Sequence, residues 1–245
     1  MTNFNYTNLS RLLIDSLNGY GIACSEHQAE LLLTHLDLVI EKNKVMNLTR
    51  IVDPAEAVYL HIVDSLLILA AEPCMSGSGR LLDIGTGAGF PGIPLAVMTD
   101  LKAVLIDSVG KKITAVNEFV SALGLAKRVR CDAIRAEELA RKSQNSFDYV
   151  VARAVSQTNT LVEYAAPFLK MQGSLIVCKA NPSDEELSVA SRAAQICGLE
   201  NVSRETFELP QGLGHREILT YKKVRKSQIK LPRRTGLAQH EPLGL

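Results

Sequence analysis

The stretch Leu81, Leu82, Asp83, Ile84, Gly85, Thr86, Gly87, Ala88, Gly89, Phe90, Pro91, Gly92 is where the fold of this chain is decided. A short apolar run that ends in an acid and continues as three glycines at alternate positions reads as a buried strand turning sharply into a helix. Glycine serves such a turn in two ways, by reaching φ > 0 and by letting a ligand lie directly against main chain. Pro91 suits the first turn of the helix that follows, where a missing N–H costs nothing. The pattern predicts a turn that holds a nucleoside-bearing cofactor.

Gly87, Gly89 and Gly92 also satisfy the dinucleotide spacing G-x-G-x-x-G. In that fingerprint the helix start faces a pyrophosphate, and Pro91 removes one of the N–H donors the anion needs. S-adenosylmethionine carries no phosphate, so the turn needs only close backbone approach, and Asp83 can face the ligand's ammonium group. Acid, x, Gly, x, Gly, x, Gly fits this second ligand better. After a helix from Gly92 to Met98, the apolar strand Ala103 to Ile106 ends in Asp107. An acid there can accept both ribose hydroxyls. Both cofactors want Asp107, so it supports a nucleoside without choosing one.

With 245 residues, 47% apolar content and a formal charge of +1, the chain matches one ordinary domain with room for an appendage. No apolar run approaches the length that spans a bilayer, and Met1 to Ser10 carries no basic region or signal core, so a cytoplasmic protein is expected. Cys24, Cys74, Cys131, Cys178 and Cys197 are scattered and never spaced C-x-x-C, which suggests neither a disulfide framework nor a metal site.

The first seventy residues are helical in pattern. Ser25 and Gln28 make a capping box ahead of Ala29, Leu32, Leu33, Leu36, Val39 and Ile40, which fall on one stripe. An earlier helix, Leu9 to Gly19, offers Leu9, Leu12, Leu13 and Leu17 to that stripe. A third starts at Asp53, Pro54 and Glu56 and runs to Ala71 with Val58, Ile62, Leu66 and Leu69 inward. His61 and Asp64, three apart, share a face of it. They suit a pocket wall; a histidine held by a local hydrogen bond explains them better than a metal site, for no third ligand is near in sequence.

Beyond Asp107 strands and helices alternate. Lys111 to Leu123 is a helix closed by Gly124, Arg128 to Cys131 a strand, and Phe147 to Ala152 a strand with Arg153 just past its end. Leu161 to Leu169 is a helix, after which Gly173 turns the chain into the strand Ser174 to Cys178, which ends in Lys179. Glu185 to Cys197 is a helix, and Val202 to Leu209 with Ile218 to Val224 reads as a closing hairpin. The whole is an α/β fold, Rossmann-like, with a seven-stranded mostly parallel sheet, an antiparallel edge pair and an N-terminal helical extension. It divides into 1–72 for the extension, 73–224 for the sheet domain and 225–245 for a tail. From Lys222 to Arg234 there are seven basic residues and no acid. Phosphate backbones attract such a run, and beside a methyl-donor site nucleic acid is the better partner than a membrane, because the tail lacks an apolar face.

These residues resemble a known family, the bacterial ribosomal RNA small subunit methyltransferase G, once called glucose-inhibited division protein B. The resemblance rests on Asn47, Leu48, Thr49; His61 with Asp64, Ser65, Leu66; Asp83 to Pro94; Asp107, Ser108 with Lys111, Lys112; Arg135, Ala136, Glu137; Ala152, Arg153, Ala154; and Pro232, Arg233, Arg234 with Gly236. It covers nearly the whole chain, which differs from the frequent family pattern in having Ala180 after Lys179. The likeness implies the class I S-adenosylmethionine-dependent methyltransferase fold and methyl transfer to N7 of one guanine in 16S ribosomal RNA, in the decoding region of the small subunit. It implies a cofactor pocket lined by Gly85, Phe90, Ala136, Glu137 and Arg153, to which the glycine turn adds Asp83, Gly87, Gly89 and Asp107. Lys230, Arg233 and Arg234 are the candidate RNA contacts, and a monomer is expected.

Guanine N7 has a lone pair and no proton, so its methylation needs alignment and a dry pocket rather than a general base. No proton-transfer residue is therefore nominated; Arg153 and Lys179 are candidates to orient the base or the cofactor carboxylate. Carbon methylation would need a cysteine nucleophile, and Pro73 with Cys74 lies on the wrong side of the first strand. Two readings from other classes stand beside this one. A nicotinamide dehydrogenase lacks recognisable hydride-transfer residues, and a catalytically silent RNA-binding or assembly factor would have no use for the intact glycine turn.

Overall fold

The computed structural model describes residues 6–153 and 155–245. Residues 1–5, half of the stretch Met1 to Ser10, and Ala154 of the Ala152, Arg153, Ala154 run lie outside them. Seven strands, β1 (Arg80–Ile84), β2 (Lys102–Asp107), β3 (Val129–Ala133), β4 (Phe147–Arg153), β5 (Leu169–Lys179), β6 (Leu199–Glu208) and β7 (His215–Lys223), form one sheet in the order β3-β2-β1-β4-β5-β7-β6. The first five are parallel, while β7 runs antiparallel to both β5 and β6. The last strand is thus inserted inside the sheet, which brings residues from the end of the chain close to the strand ends where the glycine turn lies.

Three helices come first: α1 (Tyr6–Gly19), α2 (Glu26–Asn43) and α3 (Pro54–Ala71). Both hydrogen bonds of the Ser25–Gln28 capping box are formed, and the Asp53 side chain accepts from the Glu56 N–H at 2.8 Å. At 18 residues, α3 is long and apolar enough to cross a membrane, contrary to the expectation that no such run exists. It is instead a core helix, with Val58, Ile62 and Leu66 fully buried. A π-helical turn at Val58–Val63 interrupts it. Such turns favour functional positions, and this one carries His61.

The remaining helices are α4 (Gly92–Met98), α5 (Gly110–Ala122), α6 (Ala136–Ala140), α7 (Thr158–Ala165), α8 (Asp184–Cys197) and α9 (Leu237–His240). Successive residues of a strand face opposite sides of a sheet. Accordingly Leu81 and Leu105 pack with α1 to α5 on one face, while Leu82 and Val104 pack with α6 to α9 on the other. The N-terminal helices and the first face make one continuous hydrophobic cluster.

Two expected boundaries move. The helix expected at Leu161 to Leu169 stops at Ala165, because Leu169 already pairs with Phe147 and opens β5. Gly173 lies inside β5 at the register shift opposite Phe147 and Tyr149 rather than in a turn. A Cβ there would come within 3.0 Å of the carbonyl oxygens of Asp148 and Lys170, so only glycine lets the backbones approach.

The tail is packed rather than trailing. Arg233 donates to the buried Glu163 from Nε at 2.7 Å and from a terminal nitrogen at 2.5 Å. Its assignment as an RNA contact is therefore corrected: the guanidinium neutralises a carboxylate that would otherwise be buried unpaired. Lys223 of the same basic run is buried too, donating to the carbonyls of Ala166 and Leu169. Lys230 and Arg234 stay exposed. Arg233→Ala is expected to lower the melting temperature by about 5 °C, and to leave the salt dependence of RNA binding, read from a titration series, unchanged.

Candidate active site

A cavity of about 660 Å³ opens where β1, β2 and β4 end, within the range of small-ligand pockets. Its floor is the glycine turn. Gly85 and Gly87 have φ of +73° and +59°, a region that L side chains avoid, and a Cβ on Gly87 would meet nothing nearer than 4.0 Å. Bare main chain therefore borders open space. Asp107 stands beside it, its Oδ2 accepting from the Gly87 N–H at 3.2 Å and its Oδ1 from the Val109 N–H at 2.9 Å. Each oxygen keeps a second lone pair for a hydroxyl pair on a ligand. Phe90, Ala136, Glu137 and Arg153 also line the cavity.

Three expected contacts lie elsewhere. Asp83 is fully buried beneath the turn, where its Oδ2 accepts from the Gly92 N–H at 2.9 Å. Instead of facing a ligand's ammonium, it ties the turn to the start of α4. Burial raises its pKa to about 6, opposed by the Gly92 N–H and the Arg153 charge. Gly89 faces away from the cavity toward α2: a Cβ there would sit 2.6 Å from Ile93 and 3.0 Å from His35 Nε2. Lys179 is turned aside into an ion pair with Glu186 at 2.6 Å and a bond to the Ser156 carbonyl, because the helix after β5 brings that acid within reach.

The other end of the cavity is built around Asp64. Its Oδ2 accepts from Arg153 at 2.8 Å and its Oδ1 from Arg216 Nε at 2.9 Å. Arg153 also donates to the Leu60 carbonyl, on the π-helical turn, at 3.1 Å. Arg216 comes from β7, and nothing in its local sequence marked it. His61 stacks on Phe90 with 4.9 Å between ring centres, and its Nε2 is 2.8 Å from the Thr49 hydroxyl. The local hydrogen bond expected of this histidine is present, and both His61 and Asp64 are wall residues.

Two buried imidazoles flank Phe90. Burial drives the pKa of His61 down to about 3, assisted by Arg153, and that of His35 down to about 4. His35 Nε2 donates to the Ala88 carbonyl at 2.9 Å, pinning the turn to α2. The folded protein keeps His35 neutral while the unfolded chain protonates it below about pH 6.5. Stability is therefore lost as pH falls from about 6.5 toward 4. Asp83 acts in the opposite sense, since the folded state protonates it first. His35→Gln, which can still donate to Ala88, isolates the histidine contribution. Denaturant titrations at pH 7 and pH 5 should show the wild type losing about 2 kcal/mol more than the variant.

The family model for rRNA small subunit methyltransferase G matches residues 28–218. This chain belongs to that family. Among named relatives, the ribosomal RNA small subunit methyltransferase G of Lachnoclostridium phytofermentans is 38% identical over 233 residues, covering 94% of this chain and 96% of that protein. The one from Alkaliphilus metalliredigens is 34% identical over 235 residues, covering 95% and 98%. Among solved structures, Burkholderia thailandensis 1,6-didemethyltoxoflavin-N1-methyltransferase, with bound S-adenosylhomocysteine, superposes with a TM-score of 0.54 at 15% identity over 83% of this chain and 92% of that one. A SAM-dependent methyltransferase from Methanosarcina mazei gives 0.50 at 16% identity over 61% and 94%. The fold is the Rossmann-like class I methyltransferase fold, and the chain is an S-adenosylmethionine-dependent methyltransferase. The cavity suits that cofactor: exposed turn backbone, a carboxylate with free lone pairs for vicinal hydroxyls, and no need for a pyrophosphate site.

Proposed function

We propose that this chain methylates N7 of a guanine in 16S ribosomal RNA, in the decoding region of the small subunit. S-adenosylmethionine supplies an electrophilic methyl group: the N7–carbon bond forms, the sulfur–carbon bond breaks, and sulfur keeps the electron pair. The observation that carries the choice of acceptor is the family match over residues 28–218, and the state of Asp64 and His61 in the cavity wall agrees with it. Asp64 is held by two guanidinium groups, and His61, with a pKa of about 3, is a poor proton acceptor. A ring nitrogen with a free lone pair and no proton suits a site in which those groups are engaged.

Gly85, Gly87 and Asp107 would hold the methionine and ribose parts, with Ala136 and Glu137 beside the base. Arg153 and Arg216 each keep guanidinium donors with no hydrogen bond among the described residues. They can fork onto the cofactor carboxylate or the guanine oxygen. Lys230 and Arg234, with Lys112 and Arg135 at the cavity rim, are among the cations that can meet phosphates. Such a substrate would put the chain in the cytoplasm, acting on the RNA or the small subunit. The test is transfer of labelled methyl from S-adenosylmethionine to small subunits isolated from cells lacking the protein, followed by nucleoside mass spectrometry. N7-methylguanosine in 16S RNA is the expected product, and a label on another atom or on none overturns the reading.

A further inference from the structure

The four-residue helix α9 is fastened more firmly than its length explains. The Gly236 N–H donates to Glu137 Oε1 at 2.8 Å, and the Thr160 hydroxyl to the Ala238 carbonyl at 3.3 Å. Just beyond, Asn159 donates to the Leu243 carbonyl at 2.9 Å and Arg192 to the Gly244 carbonyl at 2.6 Å. Ala238 is buried, and the Arg233 pair with Glu163 anchors the approach. This segment presents one side chain to the cavity, Gln239. It arrives at the end beyond Asp107, where Ile134, Ala136 and Tyr164 make an apolar wall.

Gln239 is the one carboxamide on that wall, and among the described residues its amide makes no hydrogen bond. Glu137 is an unsuitable substitute, since one of its oxygens is taken by Gly236. The edge of an adenine sets a 6-amino donor next to a ring-nitrogen acceptor, and a carboxamide answers with one acceptor and one donor. We propose that Gln239 is a specificity-determining residue that reads this edge, its Oε1 accepting from the 6-amino group and its Nε2 donating to the adjoining ring nitrogen. The tail's function is then to hold that amide at the far end of the cofactor site. The proposal rests on the cavity being the S-adenosylmethionine site.

The test is a double-mutant cycle by titration calorimetry, with S-adenosylhomocysteine and its analogue in which purine without the 6-amino group replaces adenine. The wild type should prefer the amino compound by about fivefold or more, and Gln239→Leu should reduce that preference to near unity. Gln239→Glu, which keeps the acceptor and loses the donor, should bind more weakly yet still favour the amino compound. Because Gln239 is exposed, all three proteins should melt within about 2 °C of one another. Equal weakening of both ligands by Gln239→Leu, with the preference intact, overturns the proposal. Failure of the wild type to bind S-adenosylhomocysteine removes the cofactor reading of the cavity, and this inference with it.

Discussion

Replacing Asp64 by alanine should slow methyl transfer by about 100-fold, because two guanidinium groups lose the carboxylate that aims them, and misplacement of about 1 Å is enough for such a loss. Arg153 and Arg216 are each largely buried, with side chains 14% and 15% exposed. Removing one partner of a buried ion pair leaves charge uncompensated and costs about 3–5 kcal/mol. For a chain of this length that is a fall in melting temperature of about 10 °C. Asp64→Asn keeps the shape and still loses the charge, so it should lose stability less than activity. Single-turnover assays with calorimetric melting of both variants check the prediction. Wild-type activity in Asp64→Ala would remove the carboxylate from the site.

Gly92→Ala is expected to damage the fold before it damages chemistry. A Cβ at this position would lie 1.9 Å from a terminal carbon of the fully buried Leu105 and 2.7 Å from Asp83 Oδ2. Both neighbours are packed, and the second is already hydrogen-bonded to Gly92 itself. Overpacking of this kind costs about 3 kcal/mol, which would appear as a melting temperature lower by about 6–12 °C. Cofactor affinity of the fraction that stays folded should fall as well, since the turn and α4 are joined through that bond. An unchanged melting curve would mean that Leu105 and Asp83 can both move aside.

Much of the architecture could be read from local chemistry. The Ser25–Gln28 box and the Asp53–Pro54–Glu56 start mark their helices because capping is decided within four residues. The glycine turn is legible for the same reason, as positive φ leaves few residue types to choose from. What escaped reading depended on which partners the fold brings within reach. Whether Lys179 or Arg233 faces a ligand or a carboxylate is settled by Glu186 and Glu163, the latter 70 residues from Arg233. Asp83 and Gly89 have the right types at the right spacing, yet Asp83 is bonded to the start of α4 and Gly89 faces α4 and α2 rather than the cavity. Arg216 sits in a strand whose place inside the sheet, between β5 and β6, has no local signature.

The placement of β7 also sets an order of events during synthesis. Asp64 emerges early and meets Arg153 after 89 further residues, but its second partner, Arg216, lies 152 residues downstream. A nascent polypeptide halted after β5 can already own the glycine turn and Asp107, and with them the means to grip a nucleoside. It cannot own the paired guanidiniums. Maturation of the reactive end therefore waits for the final strand to slot into place, and products truncated by stalled translation should be inert even where they capture the methyl donor.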